Sequence, residues 1–199
     1  MDDRLEGIEF LIQLDRANIQ YEVVYEDRFK EDFLKGFSCV VAYGAKLLSD
    51  DAVKALAGYA RNGGRLLLFG ENGAMTNWGQ PRTGNPLAEA GPWTVAGEDK
   101  AAVLRFVQEN TKPAFSVVGC PYVLFTTTRG AAQPKDGYVV HLLNYQKETL
   151  GNVRVRLSGA ARPKLVALTP GCGQIEKGAA DSEWVIPRLG VYSLLIVEP

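Results

Sequence analysis

Four polar side chains lie just beyond segments that we interpret as parallel strands: Glu26, Lys46, Glu71 and Asn72. Open α/β sheets bind ligands beyond the carboxyl ends of their strands, so these side chains are candidates for one polar site. A carboxylate beside a lysine can hold a polar ligand. Their spacing matches neither a phosphate loop nor a metal site, and loop charges in solvent are the alternative.

The thiols and the histidine lack the neighbours that nucleophilic or metal chemistry needs. The chain has an odd number of cysteines, without a CxxC pair or an adjacent histidine: Cys39, Cys120 and Cys172. This pattern indicates neither a disulfide framework nor a zinc site. Cys39 begins an apolar strand, which favours a structural role. His141 lies within a strand and is interpreted as a hydrogen-bonded surface residue, and Asn144 as the cap of the next turn. We expect no catalytic residue, no metal and no cofactor.

Two tryptophans, Trp78 and Trp93, lie in the long segment Glu71–Glu98, which is rich in Gly, Pro and Asn. Loops of this length are often lids or interaction surfaces. Aromatic rings stack on sugar faces and anchor protein interfaces, so this pair is a candidate ligand-binding site. The alternative is that both rings fold back and close their own loop. Without a partner to cover it, we expect this loop to be less ordered than its surroundings.

The stretch from Ser49 to Gly70 predicts a helix followed by a buried strand. Ser49 is a helix cap, and apolar residues recur at helical spacing after it. The run Leu66–Phe69 shows no alternation, which is typical of a strand buried on both faces. With a preceding strand at Cys39–Tyr43, this stretch forms a strand–helix–strand unit with a right-handed crossover.

The remaining periodicity predicts two domains. Residues 1–111 form an α/β domain with a helix over residues 4–18 that carries Leu5, Ile8, Leu11 and Ile12 on one face, which we expect to turn inward. Further along are a strand at Tyr21–Tyr25, a short helix within Glu26–Gly36 and a helix at Asp99–Asn110. Residues 112–199 form a small antiparallel β-sandwich, which includes Trp184 in its core. Its seven expected strands are Phe115–Val118, Tyr122–Thr128, Tyr138–Leu143, Val153–Leu157, Lys164–Leu168, Glu183–Ile186 and Val191–Val197.

Composition limits the classes of partner. The 199 residues are 46% hydrophobic and 23% charged, with a formal net charge of -1. A nearly neutral chain does not attract nucleic acid or anionic lipid, so we expect neither partner. The acidic start and the short apolar runs indicate no signal peptide or membrane anchor. We expect a soluble protein and favour the cytoplasm.

Several motifs resemble a known family. The stretches Leu14–Ile19, Leu48–Ala52 and Tyr59–Arg65 resemble the trimerisation domain of bacterial beta-galactosidases, which has a class I glutamine amidotransferase-like, flavodoxin-like fold. The second half, with His141–Tyr145 and Ile186–Tyr192, looks like the small β-sandwich that follows such domains in glycoside hydrolases.

The resemblance implies an accessory role. Active amidotransferases place a cysteine nucleophile in a Gly-x-Cys-x-Gly turn, where this chain has Phe69–Gly73 with Glu71 at the nucleophile position. The expected function is therefore a non-catalytic assembly module of a glycoside hydrolase, in contact with further subunits or an upstream catalytic domain. One alternative is a carbohydrate-binding module that uses the loop tryptophans or the sandwich face. Another is a divergent hydrolase with Glu71 as general base.

The resemblance also implies a missing strand. A flavodoxin-like sheet begins with a strand before its first helix, and residues 1–6 offer none. We expect that a longer chain, a partner chain or the tail of this chain supplies the pairing. The alternative is that the strands at Tyr21–Tyr25 and Cys39–Tyr43 pair directly.

Overall fold

The computed structural model describes residues 3–128, 138–158, 164–167 and 171–198. The helices are α1 (Asp3–Arg16), α2 (Glu31–Leu34), α3 (Asp50–Arg61) and α4 (Lys100–Asn110), and Glu26–Arg28 form a 3-10 turn. The strands are β1 (Val40–Tyr43), β2 (Leu66–Phe69), β3 (Thr94–Gly97), β4 (Phe115–Val118), β5 (Val123–Thr128), β6 (Tyr138–Asn144), β7 (Leu150–Leu157), β8 (Lys164–Ala167), β9 (Glu176–Lys177), β10 (Glu183–Leu189) and β11 (Tyr192–Glu198).

The chain divides into two compact units. The first comprises the start of α1 up to Phe10 together with Tyr21–Thr111, and the second comprises Leu11–Gln20 and the chain from Lys112 onward. Among the described residues, no helix combines the length and the apolar character required to cross a bilayer.

The first unit is built on a three-stranded parallel sheet. Its order is β1-β2-β3, with Val40 opposite Leu66 at the start of the first pair. All four residues of β2 are buried, as the unbroken apolar run predicts. The side chain of Ser49 accepts a hydrogen bond from the backbone N–H of Ala52, which confirms the predicted cap of α3.

Helix α1 buries a different face from the predicted one. Ile8 and Ile12 are 53% and 42% exposed, whereas Phe10 and Leu14 are buried. Phe10 stacks on Tyr43 with ring centroids 5.0 Å apart, and Tyr43 stacks in turn on Phe69 at 4.3 Å. Aromatic stacking against the sheet therefore decides which face of α1 turns inward.

The predicted strand at Tyr21–Tyr25 is wrong. This segment contributes to no ladder in the described part of the chain, and β1 is paired there with β2. Tyr21, Val23 and Tyr25 are 40%, 55% and 75% exposed. A stable strand requires a hydrogen-bonded neighbour in addition to β-branched and aromatic residues. This segment has the residue types of a strand, but in the described part of the chain no strand pairs with it. The expected strand beside β1 stays a prediction.

The long segment after β2 contains a strand that the sequence does not predict. Strand β3 lies at the edge of the sheet and pairs with β2 in parallel, with Thr94 opposite Leu67. Its Val95 is 67% exposed. An exposed edge strand needs no apolar run or strict alternation, so hydrophobic periodicity gives no signal for it.

The second unit is a sandwich of two antiparallel four-stranded sheets. Their orders are β4-β7-β10-β9 and β5-β6-β11-β8, and both sheets contribute to one apolar core. The seven predicted strands are found with small shifts of their ends, and Leu168 lies outside the described residues. Trp184 packs half-buried against this core, with the Lys177 ammonium 4.5 Å from its ring centre. The two-residue edge strand β9 is not predicted, because it is charged and exposed.

Asn18 connects the end of α1 to an edge strand of this unit. Its backbone adopts a φ of 61°, in the left-handed region that asparagine tolerates. Its side-chain amide donates to the carbonyl of Val117 at 3.2 Å and accepts from the N–H of the same residue at 3.0 Å. A single amide thus engages both backbone groups of a residue on β4.

Candidate functional site

The loops after β1 and β2 run side by side at the carboxyl edge of the parallel sheet. The N–H of Gly73 donates to the carbonyl of Ala45 at 2.9 Å, and the N–H of Met75 donates to Lys46 at 3.0 Å. Leu48 returns a bond to the carbonyl of Met75 at 3.1 Å. In open α/β sheets, ligands bind at this edge. Here the same position is occupied by the two loops, which are hydrogen-bonded to each other through their backbones.

The side chain of Asn72 holds these two loops together by hydrogen bonds. It is 7% exposed, and its side-chain oxygen accepts the N–H of Ala45 at 2.9 Å. Its amide nitrogen donates to the carbonyls of Phe69 and Gly70 at 3.0 and 3.1 Å. Both amide hydrogens and the oxygen are thus engaged within the protein, which gives Asn72 a structural role at this edge.

Lys46 and Glu71 are brought together as a surface pair. The Lys46 Nζ lies 2.8 Å from a carboxylate oxygen of Glu71, and the two side chains are 48% and 59% exposed. Water is excluded from sites where a carboxylate acts on a substrate, whereas the Glu71 side chain is largely exposed. The geometry of this turn therefore favours a solvated ion pair over the divergent-hydrolase interpretation.

Glu26 lies at the start of α3 rather than beside the lysine. Its carboxylate accepts the backbone N–H of Ser49 at 2.9 Å. Ser49 is the cap of α3, so a carboxylate there satisfies a free donor and complements the positive end of the helix. This contact assigns Glu26 to helix capping from a distant part of the chain.

Arg82 has a largely buried side chain that the sequence does not predict as part of this site. Its side chain is 9% exposed and forms an ion pair with Asp50 in the first turn of α3. It also donates to the carbonyls of Leu48 at 2.5 Å and Gly73 at 3.1 Å. A neighbouring amide, that of Asn85, donates to the carbonyl of Asn72 at 2.8 Å. The only sequence signal for this network is its polar residues within a long loop.

The two loop tryptophans do not form an exposed pair. Trp93 is 9% exposed and belongs to the core of the first unit, with its ring against Gly91. Trp78 is 85% exposed in a short turn, where the N–H of Gly79 donates to the carbonyl of Thr76 at 2.9 Å. The prediction that both tryptophans bind a ligand is therefore wrong for Trp93, because its ring is buried in the core, and for Trp78 it stays a prediction.

Cys39, His141 and Asn144 are held by local contacts. Burial raises the pKa of the Cys39 thiol, which disfavours a reactive thiolate. His141 is within 2.6 Å of the Tyr192 hydroxyl and 3.1 Å of the Thr128 hydroxyl. Asn144 accepts from the N–H of Gln146 and donates to the carbonyl of Glu148, which confirms it as a turn cap.

An open cleft lies at the opposite, amino-terminal edge of the sheet. Its cavity volume is about 260 Å³, and Ser38, Tyr59 and Arg65 are among the residues that line it. The ring of Tyr59 occupies the space where a side chain at Gly64 would stand. No group of three or more potential metal ligands occurs anywhere among the described residues.

Comparisons with known proteins address the fold as a whole. No protein-family profile and no curated protein matches this sequence. Solved structures do match: the beta-galactosidase from Bacillus circulans sp. alkalophilus superposes on 100% of this chain with a TM-score of 0.67 and 10% identity. The fold recurs in sugar-processing enzymes.

Two further structures extend the likeness. Gan42B, a GH42 beta-galactosidase from G. stearothermophilus, matches 98% of the chain with a TM-score of 0.63 and 12% identity. Alpha-L-fucosidase isoenzyme 2 from Paenibacillus thiaminolyticus matches 94% with a TM-score of 0.62 and 12% identity. This chain spans 38%, 36% and 44% of these three proteins, less than half of each. At such identities the likeness establishes a common fold.

Proposed function

We propose that this chain is a non-catalytic accessory and assembly module of a glycoside-hydrolase-type protein. The observation that carries the proposal is that nearly the whole chain matches less than half of enzymes such as beta-galactosidases. A segment shared by enzymes with different substrates is better suited to assembly than to the reaction itself.

The first unit corresponds, in this proposal, to a trimerisation domain with an amidotransferase-like, flavodoxin-like origin. Its strand–helix–strand unit and its turn at Phe69–Gly73 support this assignment. The residue at the nucleophile position, Glu71, is exposed and paired with Lys46, and Asn72 is fully used in holding the backbone. The turn is held by contacts to backbone groups and carries no group suited to attack an amide.

The partner surface that we assign is the segment Tyr21–Tyr25, whose last residue has extended backbone angles. Tyr21, Val23 and Tyr25 alternate along it and are 40%, 55% and 75% exposed. The three side chains are spaced two residues apart and all exposed, and in this proposal they form an apolar row. Such a row suits burial against another subunit or against the catalytic domain of a longer protein.

Two experiments test this function. In sedimentation velocity, we expect the chain to associate as its concentration rises, and Val23→Asp to weaken association about tenfold or more. Val191→Asp is the matched control, since Val191 is 70% exposed in the second unit. A chain that stays monomeric at every concentration, alone and with a separately produced catalytic domain, would contradict the assembly role.

The second experiment measures catalysis. We expect the purified chain to hydrolyse neither aryl galactosides nor glutamine. Hydrolysis that disappears on Glu71→Gln would establish the divergent enzyme in place of the assembly module. Within a complete enzyme, Glu71→Ala and Cys39→Ala should change turnover by less than about tenfold, because neither residue belongs to a catalytic arrangement.

A further inference from the structure

The sandwich carries three exposed tyrosines at the end of its sheet β5-β6-β11-β8. Tyr122, Tyr145 and Tyr192 are 51%, 65% and 43% exposed. The N–H of Tyr145 donates to the carbonyl of Tyr122 at 3.0 Å, which continues the ladder that pairs Val123 with Asn144. Tyr122 and Tyr145 are therefore direct cross-strand neighbours.

The alternation of the adjoining strands places all three tyrosines on the outer face of this sheet. Val123 and Asn144 are buried on the inner side, so the adjacent Tyr122 and Tyr145 point outward. Ser193 is fully buried, which turns Tyr192 outward by the same alternation. We call the surface formed by Tyr122, Tyr145 and Tyr192 the tyrosine face.

The space between the rings has an apolar base and an open end. Leu143 is opposite Tyr192 in the β6–β11 register and opposite Leu124 in the β5–β6 register. Gly190, just before β11, has no side chain, and a methyl group there would meet no heavy atom within 4 Å. A ligand can thus approach the backbone at this end without displacing protein atoms.

Hydrogen bonds fix one of the three rings before any ligand arrives. The imidazole of His141 bonds to the Tyr192 hydroxyl at 2.6 Å through Nδ1 and to the Thr128 hydroxyl at 3.1 Å through Nε2. With both ring nitrogens engaged, His141 holds the phenol of Tyr192 at a set orientation. Such preorganisation lowers the entropy lost on binding.

The chemistry of this face indicates a neutral ligand. The outward strand positions that border the tyrosines are Leu124, Thr126, Leu143 and Leu194, and none of these four carries a charge. The two exposed charges that follow Tyr145 in the next turn, Lys147 and Glu148, are of opposite sign. A polyanion would require cations here, and a charged peptide would require ions of opposite sign. Sugar rings present apolar C–H faces to aromatic rings and hydroxyls to phenol, imidazole and threonine groups.

We infer that the tyrosine face binds a neutral oligosaccharide. The class of ligand rests on the proposed function, which links this fold to sugar-processing enzymes, whereas the geometry of the face does not depend on it. In the proposed assembly, such a site binds a glycan chain close to the glycoside hydrolase, and the tyrosine face itself does not take part in cleaving the glycan.

The test titrates the 199-residue chain with β-1,4-galactotriose and with cellotriose, using calorimetry and saturation-transfer NMR. We expect binding of at least one trisaccharide, weakened about tenfold or more by Tyr145→Ala and by Tyr122→Ala. Val95→Ala is the control, since Val95 is 67% exposed in the first unit and lies outside the assigned partner surface, and it should change affinity less than twofold. Circular dichroism establishes that each variant is folded.

Three results would overturn the inference: no transfer to either trisaccharide, binding that is unchanged in both tyrosine variants, or loss of association in Tyr145→Ala without any sugar binding. The last result would make this face a protein contact. Failure here is distinct from failure of the proposed function, which is judged by sedimentation of Val23→Asp and by hydrolysis.

Discussion

The side-chain oxygen of Asn72 accepts the backbone N–H of Ala45 at 2.9 Å, so a residue after β2 holds the loop after β1. The two loops belong to different strands, and their relative position depends on this bond and on the backbone pairs beside it. A sheet edge that commonly remains open for a ligand is here closed by the protein's own groups.

Replacing Asn72 should be costly. Asn72→Ala removes partners from the N–H of Ala45 and from the carbonyls of Phe69 and Gly70, and we expect about 3 kcal/mol of lost unfolding free energy. Urea denaturation followed by circular dichroism measures it. Asn77→Ala, in the exposed part of the same loop, is the control and should change stability by less than about 0.5 kcal/mol. Equal stability of both variants would show that the Asn72 bonds contribute little.

Arg82→Lys should loosen the loop that follows β2. Lysine keeps the charge near Asp50 but cannot reproduce the fork that reaches Leu48 and Gly73. We expect about 1 to 2 kcal/mol of destabilisation and faster hydrogen exchange over residues 74–85, read by mass spectrometry. Arg105→Lys replaces an exposed arginine paired with Asp99 and serves as control. Exchange that is unchanged by Arg82→Lys would count against this role.

Replacing each loop tryptophan with alanine should change the stability of the protein by different amounts. Trp93→Ala opens a cavity in the core of the first unit and should cost about 3 kcal/mol or more. Trp78→Ala removes an exposed ring and should cost less than about 0.5 kcal/mol. Iodide quenching of fluorescence provides an independent reading, because the exposed Trp78 should account for most of the accessible emission. A large loss of stability in Trp78→Ala would mean that another part of the protein covers this ring.

Alkaline pH should destabilise the first unit. Burial raises the pKa of Cys39 above its usual value of 9.0 and also raises the pKa of Tyr59. The folded state then binds more protons than the unfolded state, so the stabilising contribution is complete below the unfolded pKa values and is lost as pH rises through the folded ones. Urea midpoints between pH 7 and 10.5 measure this decline. Cys39→Ala should make it shallower, and an identical slope would exclude the thiol as a cause.

Those features that rest on local patterns could be predicted from the sequence. Ser49 and the run Leu66–Phe69 determine α3 and β2 through capping and burial, and alternating residues identify the sandwich strands. Trp93 and Arg82 could not be placed, because their burial depends on contacts with distant segments. The prediction of a strand at Tyr21–Tyr25 is wrong because the residue types of this segment favour a strand, whereas strand formation also requires a neighbouring strand that the local sequence does not specify.

The amide of Asn18 has a consequence for how molecules of this protein meet. Strand β4 is an edge strand of its sheet. Edge strands with free backbone N–H and carbonyl groups can pair with strands of other molecules, which leads to aggregation. Because Asn18 occupies both the N–H and the carbonyl of Val117, an incoming strand would have to displace it before a ladder could grow there. The side chain of Asn18 thereby protects this edge of the sheet against strand-by-strand aggregation.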